Sequence, residues 1–351
     1  MAGLRNGFTT GTCAAAAAKA AAMVLCGSQP VRTVSVSFPD GKREEFPVLF
    51  IRRTEDGCEA AVRKDAGDDP DVTNGVDVVV YVSFCDDGKI RFEAGEGVGK
   101  VTLPGLSVPP FEPAINPGPR EMIRSALTEV AHCGFRVRVS IPGGDEIARK
   151  TFNPRLGVVG GLSILGTTGR VRPFSAASLI DSLKCALSVA AACGVRAPVL
   201  VPGNIGERAA RRHFRLSSEQ VIEVSNQWGE MLDETLRYDF TNLLIVGHPG
   251  KLAKLTIGEW DTHSGNSQSA VPVVQALAAK LHCCRVPDSV TVEGVFRSLD
   301  EIRRSELAGF LACKIRECVK QRLRGRHDPA VAIINMRGEI LGTSGDLQSW
   351  T

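Results

Sequence analysis

From Leu156 onward the chain alternates between short apolar runs and longer helix-like stretches, and this rhythm restricts the fold more than any other feature. Strand-like segments run Leu156–Leu165, Pro198–Val201, Val221–Val224 and Leu243–Val246. Helical segments run Ser175–Ala192, Asn204–Phe214, Ser269–Cys284 and Ser298–Arg324. In the first of these, Leu179, Leu183 and Leu187 recur at i, i+4 and i+8, one stripe of a helix. Ala330–Leu341 reads as a hairpin turning at Arg337-Gly338. Strands alternating with helices predict a parallel sheet with helices on both faces. Residues 151–351 are therefore expected to form an α/β, Rossmann-like domain with a mostly parallel sheet.

The first 150 residues have a different rhythm and predict an α+β domain. Ala14–Leu25 reads as a tightly packed helix capped by Thr12. It contains Lys19 and is shorter than the roughly 20 residues a membrane span needs. In Val31–Phe38, Val34, Val36 and Phe38 share one face, which is strand periodicity, and Pro39-Asp40-Gly41 follows as a turn. Further strands are expected at Glu45–Arg53, Cys58–Arg63, Val76–Phe84 and Lys89–Glu93, the last two joined as a hairpin by Asp86-Asp87-Gly88. A helix near Arg120–Cys133 and a strand at Arg136–Ile141 complete the domain, with its edge at Pro142-Gly143-Gly144.

A chain of 351 residues suits two domains. A net charge of +3 is too small for a nucleic-acid-binding face, and no partner of that kind, nor a membrane, is expected. The eleven cysteines are odd in number and contain no C-x-x-C pair, which argues against a zinc site or a disulfide framework. They read as reduced, small buried side chains in a cytoplasmic protein, and no protein-bound metal is expected. No G-x-G-x-x-G occurs. Gly95-Glu96-Gly97-Val98-Gly99-Lys100-Val101 fails that motif at Lys100, and fails as a phosphate-binding loop at Ala94 and Val101.

Chemistry is expected where Gly-rich turns follow strands, because ligands bind beyond the carboxyl ends of an open α/β sheet. Three such turns are Gly166-Thr167-Thr168-Gly169-Arg170, Pro202-Gly203-Asn204-Ile205-Gly206-Glu207 and Gly247-His248-Pro249-Gly250-Lys251. Any one alone is better explained as a plain strand-to-helix turn; three in one sheet reverse that and favour a ligand site. Asn6-Gly7-Phe8-Thr9-Thr10-Gly11-Thr12 could hold an anionic group or merely cap a helix. Asp68-Asp69-Pro70-Asp71 concentrates carboxylates in a turn without the spacing of a calcium loop. Gly95 to Pro119 is long and rich in Gly and Pro. Trp260-Asp261-Thr262-His263-Ser264 combines a stacking group with titratable ones. Arg208, Arg211, Arg212 and Arg215 largely share a side, and Arg170 and Arg172 flank the first turn, so an acidic ligand is plausible.

The segments GFTTGTCAAAAAKAA (7–21), AGDDPDVTNG (66–75), GEGVGKVTLPGL (95–106), NPGPREMI (116–123), GTTGRVRPFS (166–175), PGNIGERAAR (202–211) and GHPGKLAKL (247–255) together resemble the cobalt-precorrin-5B C1-methyltransferase family, CbiD. They run in order from Gly7 to His263, and the region beyond adds little. The resemblance implies an S-adenosylmethionine-dependent methyltransferase of anaerobic cobalamin biosynthesis, with a tetrapyrrole, cobalt-precorrin-5B, as substrate. It does not carry the catalytic residues with it.

On this reading residues 1–150 hold the macrocycle and residues 151–351 the methyl donor. Donor contacts are expected from Gly166, Thr167, Thr168, Gly169, Gly203, Asn204, Gly206, Glu207, Gly247, His248 and Gly250. Substrate contacts are expected from Thr9, Thr10, Thr12, Asp68, Asp69, Asp71, Arg170, Arg172 and Arg208. Asp261 and His263 are the candidate catalytic pair. Rival readings are a non-catalytic tetrapyrrole carrier and a nucleotide-dependent enzyme on a similar fold; a homo-oligomer is left open.

Overall fold

The computed structural model describes residues 4–282 and 289–351. Cys283 and Cys284, the expected end of one helix, lie outside the described residues. The chain divides into two compact units, Met1–Ala176 and Ala177–Thr351. The division falls beyond the Pro142-Gly143-Gly144 turn where the sequence placed it. The reason lies in strand pairing: the segment after residue 150 spends its short strands on the first unit.

The first unit opens with β1 (Gly7–Phe8) and α1 (Thr10–Leu25), followed by β2 (Thr33–Ser37), β3 (Arg43–Pro47), β4 (Phe50–Arg53), β5 (Cys58–Arg63), β6 (Asp77–Phe84), β7 (Ile90–Ala94) and β8 (Lys100–Val101). Then come α2 (Pro117–Thr128), β9 (Phe135–Ser140), α3 (Gly144–Ala148), β10 (Val158–Val159) and β11 (Arg170–Val171). The main sheet has the order β4-β5-β6-β9-β7, and β2 and β3 form a separate hairpin. Glu45–Arg53, expected as one strand, breaks at Val48-Leu49, because β3 pairs with β2 while β4 pairs with β5. The chain does reverse at Asp86-Asp87-Gly88, but β6 and β7 form no hairpin. β9 lies between them, antiparallel to β6 and parallel to β7. Gly134 admits it there: a Cβ would sit 2.2 Å from the Cys85 carbonyl oxygen.

Helix α1 is buried nearly all round, packed against α2, β5 and β6. Alanine suits that place because it loses no rotamer freedom and lets neighbours approach closely. The cap is Thr9 rather than Thr12: its Oγ1 accepts from the Thr12 amide at 3.2 Å. Lys19, the one charge in this helix, donates to Glu129 and to the Ser35 carbonyl at 2.8 Å. Glu129 also accepts from Arg43 at 2.7 Å and from Ser37 at 2.9 Å. The Arg43 hydrogen bond foremost, with Lys19 and Ser37, outweighs burial and holds its carboxyl down to about 2.

The second unit contains α4 (Ala176–Ala192), β12 (Val199–Val201), α5 (Asn204–His213), β13 (Val221–Glu223), α6 (Trp228–Thr235), β14 (Asn242–Gly247) and α7 (Pro249–Leu252). It ends with α8 (Val271–His282), α9 (Val292–Arg297), α10 (Glu301–Arg322), β15 (Asp328–Ile334) and β16 (Ile340–Ser344). One sheet runs β13-β12-β14-β15-β16; the first four strands are parallel, and β16 returns antiparallel through the expected hairpin. The strands are almost wholly apolar and buried, as a parallel sheet covered on both faces requires. Leu156–Leu165 is not a strand of this sheet. Val158 and Val159 pair with β8, and Leu162 and Ile164 make single bridges to Val98 and Ile115.

The described cysteines are free thiols, but of them only Cys13 and Cys58 are buried. Cys26, Cys133, Cys193 and Cys313 are exposed, so the reading of them as small core side chains holds in part. Burial pushes the Cys13 thiol up to about 12, which leaves it inert. No described helix is long and apolar enough to cross a membrane.

Candidate functional site

Strand order in the second unit reverses beside β12: the chain leaves β12 for β13 on one side and later lays β14 on the other. The connections after β12 and β14 therefore diverge, which is the place beyond the strand ends where open α/β sheets bind their ligands. The Pro202–Glu207 and Gly247–Lys251 turns both stand there. A Cβ on Gly247 would lie 3.1 Å from the Pro202 ring, so the two turns are neighbours. Gly203 has φ +151, a conformation open to glycine, and little faces its outer side. Gly206 has the opposite surroundings: a Cβ would lie 2.9 Å from the Val246 carbonyl oxygen, so glycine lets α5 pack onto the sheet. These are two of the three glycine duties of a dinucleotide fingerprint, the tight turn and the close helix–strand contact.

Around the β14 end lies a cavity of about 410 Å³ lined by His248, Gly250, Lys254, Ser267, Thr291 and Glu293 among others. His248 Nδ1 accepts from the Gly250 amide at 3.0 Å, and Nε2 lies 2.9 Å from Glu293. The ring must then carry its proton on Nε2 and donate it to Glu293. Burial works to raise the Glu293 carboxyl; the bonds from His248 and Arg297 outweigh it and leave it below its ordinary range. Lys254 is 7% exposed, and its ammonium donates to the Thr262 carbonyl at 3.1 Å and to Ser267 at 2.8 Å. Nearby, burial pulls the Lys251 ammonium below its usual range.

The segment carrying Asp261 and His263 is stitched to the loop after β13. Asp261 bridges Gln227, and the Thr262 amide donates to the Asn226 carbonyl at 3.0 Å. Asp261 accepts from Asn266 Nδ2 at 2.7 Å and from the His263 amide at 3.0 Å. Burial would raise its carboxyl, yet these donors hold it below the usual range, which makes it a poor base. His263 is exposed, with Nδ1 accepting from the Gly265 amide at 3.1 Å. Trp260 is not open for stacking on a ligand from both sides, because Arg322 lies 4.7 Å from its ring centre.

In the first unit, a cavity of about 140 Å³ collects Thr9, Thr10, Lys64, Asp71, Asn153 and Ser163. It joins segments far apart in sequence: the Thr-rich start of α1, the acidic turn, and residues around 151–171. Lys64, almost wholly buried, donates to Asp71 at 2.7 Å. Burial alone would raise the Asp71 carboxyl; Lys64 and the two Thr73 donors outweigh it and lower it. The other carboxylates of that turn are occupied elsewhere. Asp68 accepts from the Arg5 amide at 2.6 Å and Asp69 from the Phe174 amide at 2.9 Å.

Gly166-Thr167-Thr168-Gly169 follows no strand of the second unit's sheet. It belongs to the first unit, pressed on the start of α1. A Cβ on Gly166 would lie 2.3 Å from Thr9 Oγ1, and the Gly169 carbonyl accepts from Thr12 Oγ1 at 2.6 Å and from the Thr9 amide at 3.0 Å. The Thr12 hydroxyl is thus committed within the fold. Arg170 pairs with Glu44 and lies 4.5 Å from the Phe38 ring centre. Arg172 and Arg208 are exposed. Arg211 bonds Glu207 at 3.1 Å, and Arg212 bonds the Arg337 carbonyl at 3.2 Å. Glu223, Lys64, Lys254 and Glu293 join the candidates through the geometry; apart from Lys254, which lies in the 247–255 segment, they belong to no motif of the sequence singled out above. Only Glu223 carried a signal, an acidic residue ending the strand after a glycine turn.

The CbiD family matches residues 1–173, and the C-terminal domain of CbiD matches residues 261–345, a stretch the sequence segments did not reach. The chain is 53% identical over 350 residues to the cobalt-precorrin-5B C(1)-methyltransferase of Syntrophotalea carbinolica, covering 100% of each chain. It is 41% identical to that of Ralstonia nicotianae, over 98% of this chain and 94% of the other. With that of Methanocaldococcus jannaschii it shares 39%, over 96% and 95%. A crystal structure of a cobalamin biosynthesis protein (cbiD) from Archaeoglobus fulgidus matches at 33% identity, over 74% of this chain and 82% of that one, with a TM-score of 0.39. With relatives of this identity along its whole length, the chain belongs to the CbiD family.

Proposed function

We propose that the chain transfers a methyl group from S-adenosylmethionine to carbon 1 of cobalt-precorrin-5B, giving cobalt-precorrin-6A in anaerobic cobalamin biosynthesis. The observation that carries this is 53% identity over its full length to a relative of that name. Residues 177–351 are read as the Rossmann-like donor side. Supporting this are the reversal of strand order beside β12 and the two glycine turns at that place. Residues of the first unit are read as the macrocycle side. Its cavity of about 140 Å³ is read as room for one side arm of the substrate rather than for a ring system.

The chemistry asks little of the protein beyond placement. The sulfonium is an activated donor, so no protein nucleophile is required. The carbon–sulfur bond breaks as the ring carbon forms its bond to the methyl group, and the pair of electrons leaves on sulfur. Holding the two in line can be worth roughly 7–11 kcal/mol. The cobalt comes with the substrate. Where a proton is to be moved, His263 has an exposed ring, whereas the lowered Asp261 is better suited to fixing the local backbone. The test is incubation with both substrates and mass analysis. One added methyl group on the macrocycle and one S-adenosylhomocysteine per turnover are expected. A macrocycle that binds but stays unmodified would mark a carrier instead.

A further inference from the structure

We propose that Glu223 is the ribose-reading residue of the donor site, accepting both hydroxyls of a ribonucleoside's vicinal diol on its carboxylate. This rests on the reading of residues 177–351 as the donor side and names a contact within it.

Glu223 is the last residue of β13 and pairs in register with Val201, the last residue of β12. It therefore stands at the carboxyl edge of the sheet, beside the Pro202-Gly203 turn and on the flank away from β14. Its side chain leans over that turn. Chain neighbours aside, the atom among the described residues that a Cβ built on Gly203 would meet within 4 Å is Glu223 Oε1, at 3.8 Å. The open face of the glycine turn is thus bounded by a carboxylate. The residue is half-buried, and Lys251, from the turn after β14, is close enough to interact with it electrostatically.

Chemistry narrows the ligand. An ionised carboxylate only accepts hydrogen bonds, and its two oxygens match two adjacent hydroxyl donors. It repels a phosphate or carboxylate brought to the same place. The end of the ligand that approaches Gly203 is therefore the sugar, not the amino-acid end, and a 2′-phosphorylated nucleotide is excluded. In dinucleotide folds an acidic residue about 20 residues past the glycine turn has this duty, as Glu223 stands past Gly203. Here it follows a turn that lacks the full fingerprint, which is why the sequence motif is silent.

The alternative is that Glu223 only braces the turns through Lys251. Calorimetric titration of the full chain with S-adenosylhomocysteine separates the two. Glu223→Ala and Glu223→Gln are expected to bind about ten- to a hundredfold more weakly, the loss of a charged hydrogen bond. Wild type is expected to lose a similar factor for the 2′,3′-dideoxy analogue. On that analogue the variants and wild type should bind alike, because the interaction is already gone. Losses that multiply, or variants that bind S-adenosylhomocysteine as wild type does, overturn the assignment while the donor reading stands. Wild type that fails to bind S-adenosylhomocysteine overturns the donor reading, and the assignment with it. Should both variants fail to fold, undiminished binding of the dideoxy analogue to wild type still refutes the role.

Discussion

Gly166-Thr167-Thr168-Gly169 and Pro202-Gly203-Asn204-Ile205-Gly206 look alike as sequence, yet their surroundings are opposite. The first is pressed against the start of α1: Gly166 (φ +130) faces Thr9 and Gly169 (φ +77) faces Phe38. Its glycines leave room for side chains of the same unit, Thr9 at Gly166 and Phe38 and Thr12 at Gly169, to press directly on the backbone. In the second, Gly206 meets the same kind of packing demand, but Gly203 opens outward toward a carboxylate. A glycine turn is a ligand site only where the space it frees is left unfilled by the protein itself.

The largest effect that would break this comparison is expected at Gly166. Gly166→Val adds overpacking to backbone strain and should cost about 2–5 kcal/mol of stability, read by urea denaturation. Stability close to wild type would mean the turn has room for a ligand after all. Lys19→Ala comes next. It strips a nearly buried ammonium from Glu129 in the same unit and should cost about 3 kcal/mol, read by the same method.

Glu129 also supplies a pH test. Its carboxyl is lowered from 4.5 to about 2, so its stabilising contribution is complete above pH 4.5. That contribution is lost as pH falls toward 2, because the unfolded chain takes up the proton first. The stability gap between wild type and Glu129→Gln should therefore close over that window. A gap that persists below pH 2 would show that charge is not its source.

At the second turn, Gly203→Val should weaken S-adenosylhomocysteine binding at least tenfold while costing only the strain of one residue, about 1–3 kcal/mol. Unchanged affinity would place the donor elsewhere. The smallest effects separate the arginines. Arg170→Ala should lose about 1 kcal/mol, since it gives up Glu44 and the Phe38 face, with donor affinity unchanged. Arg208→Ala is exposed and should stay within about 0.5 kcal/mol of wild type in melting experiments. A loss of ligand affinity in Arg170→Ala without loss of stability would return that residue to the ligand.

Local reading succeeded wherever one segment's own pattern decides its conformation. Cys58–Arg63 is a strand with the expected ends, and the hairpin at Arg337-Gly338 forms as its turn residues require. It failed where a distant segment decides. The reversal at Asp86-Asp87-Gly88 is real, but nothing in those residues announces that Phe135–Ser140 will later enter the gap. Val158 and Val159 are as apolar as a core strand, yet their partner is β8 of the first unit. Gly203, Gly247, His248 and Gly250 were visible as candidates because glycine and strand ends leave local marks. Lys64 and Lys254 were not, since burial of a lysine depends wholly on what surrounds it.

Sequence alone determined the family, the parallel sheet of the second unit and the glycine turns at its rim, because periodicity and ordered motifs are properties of the chain itself. Tertiary structure decided which turns are neighbours, where the units divide and which carboxylate faces the open glycine. Those outcomes depend on strand order, and strand order is set by burial summed over segments that no local stretch of sequence contains.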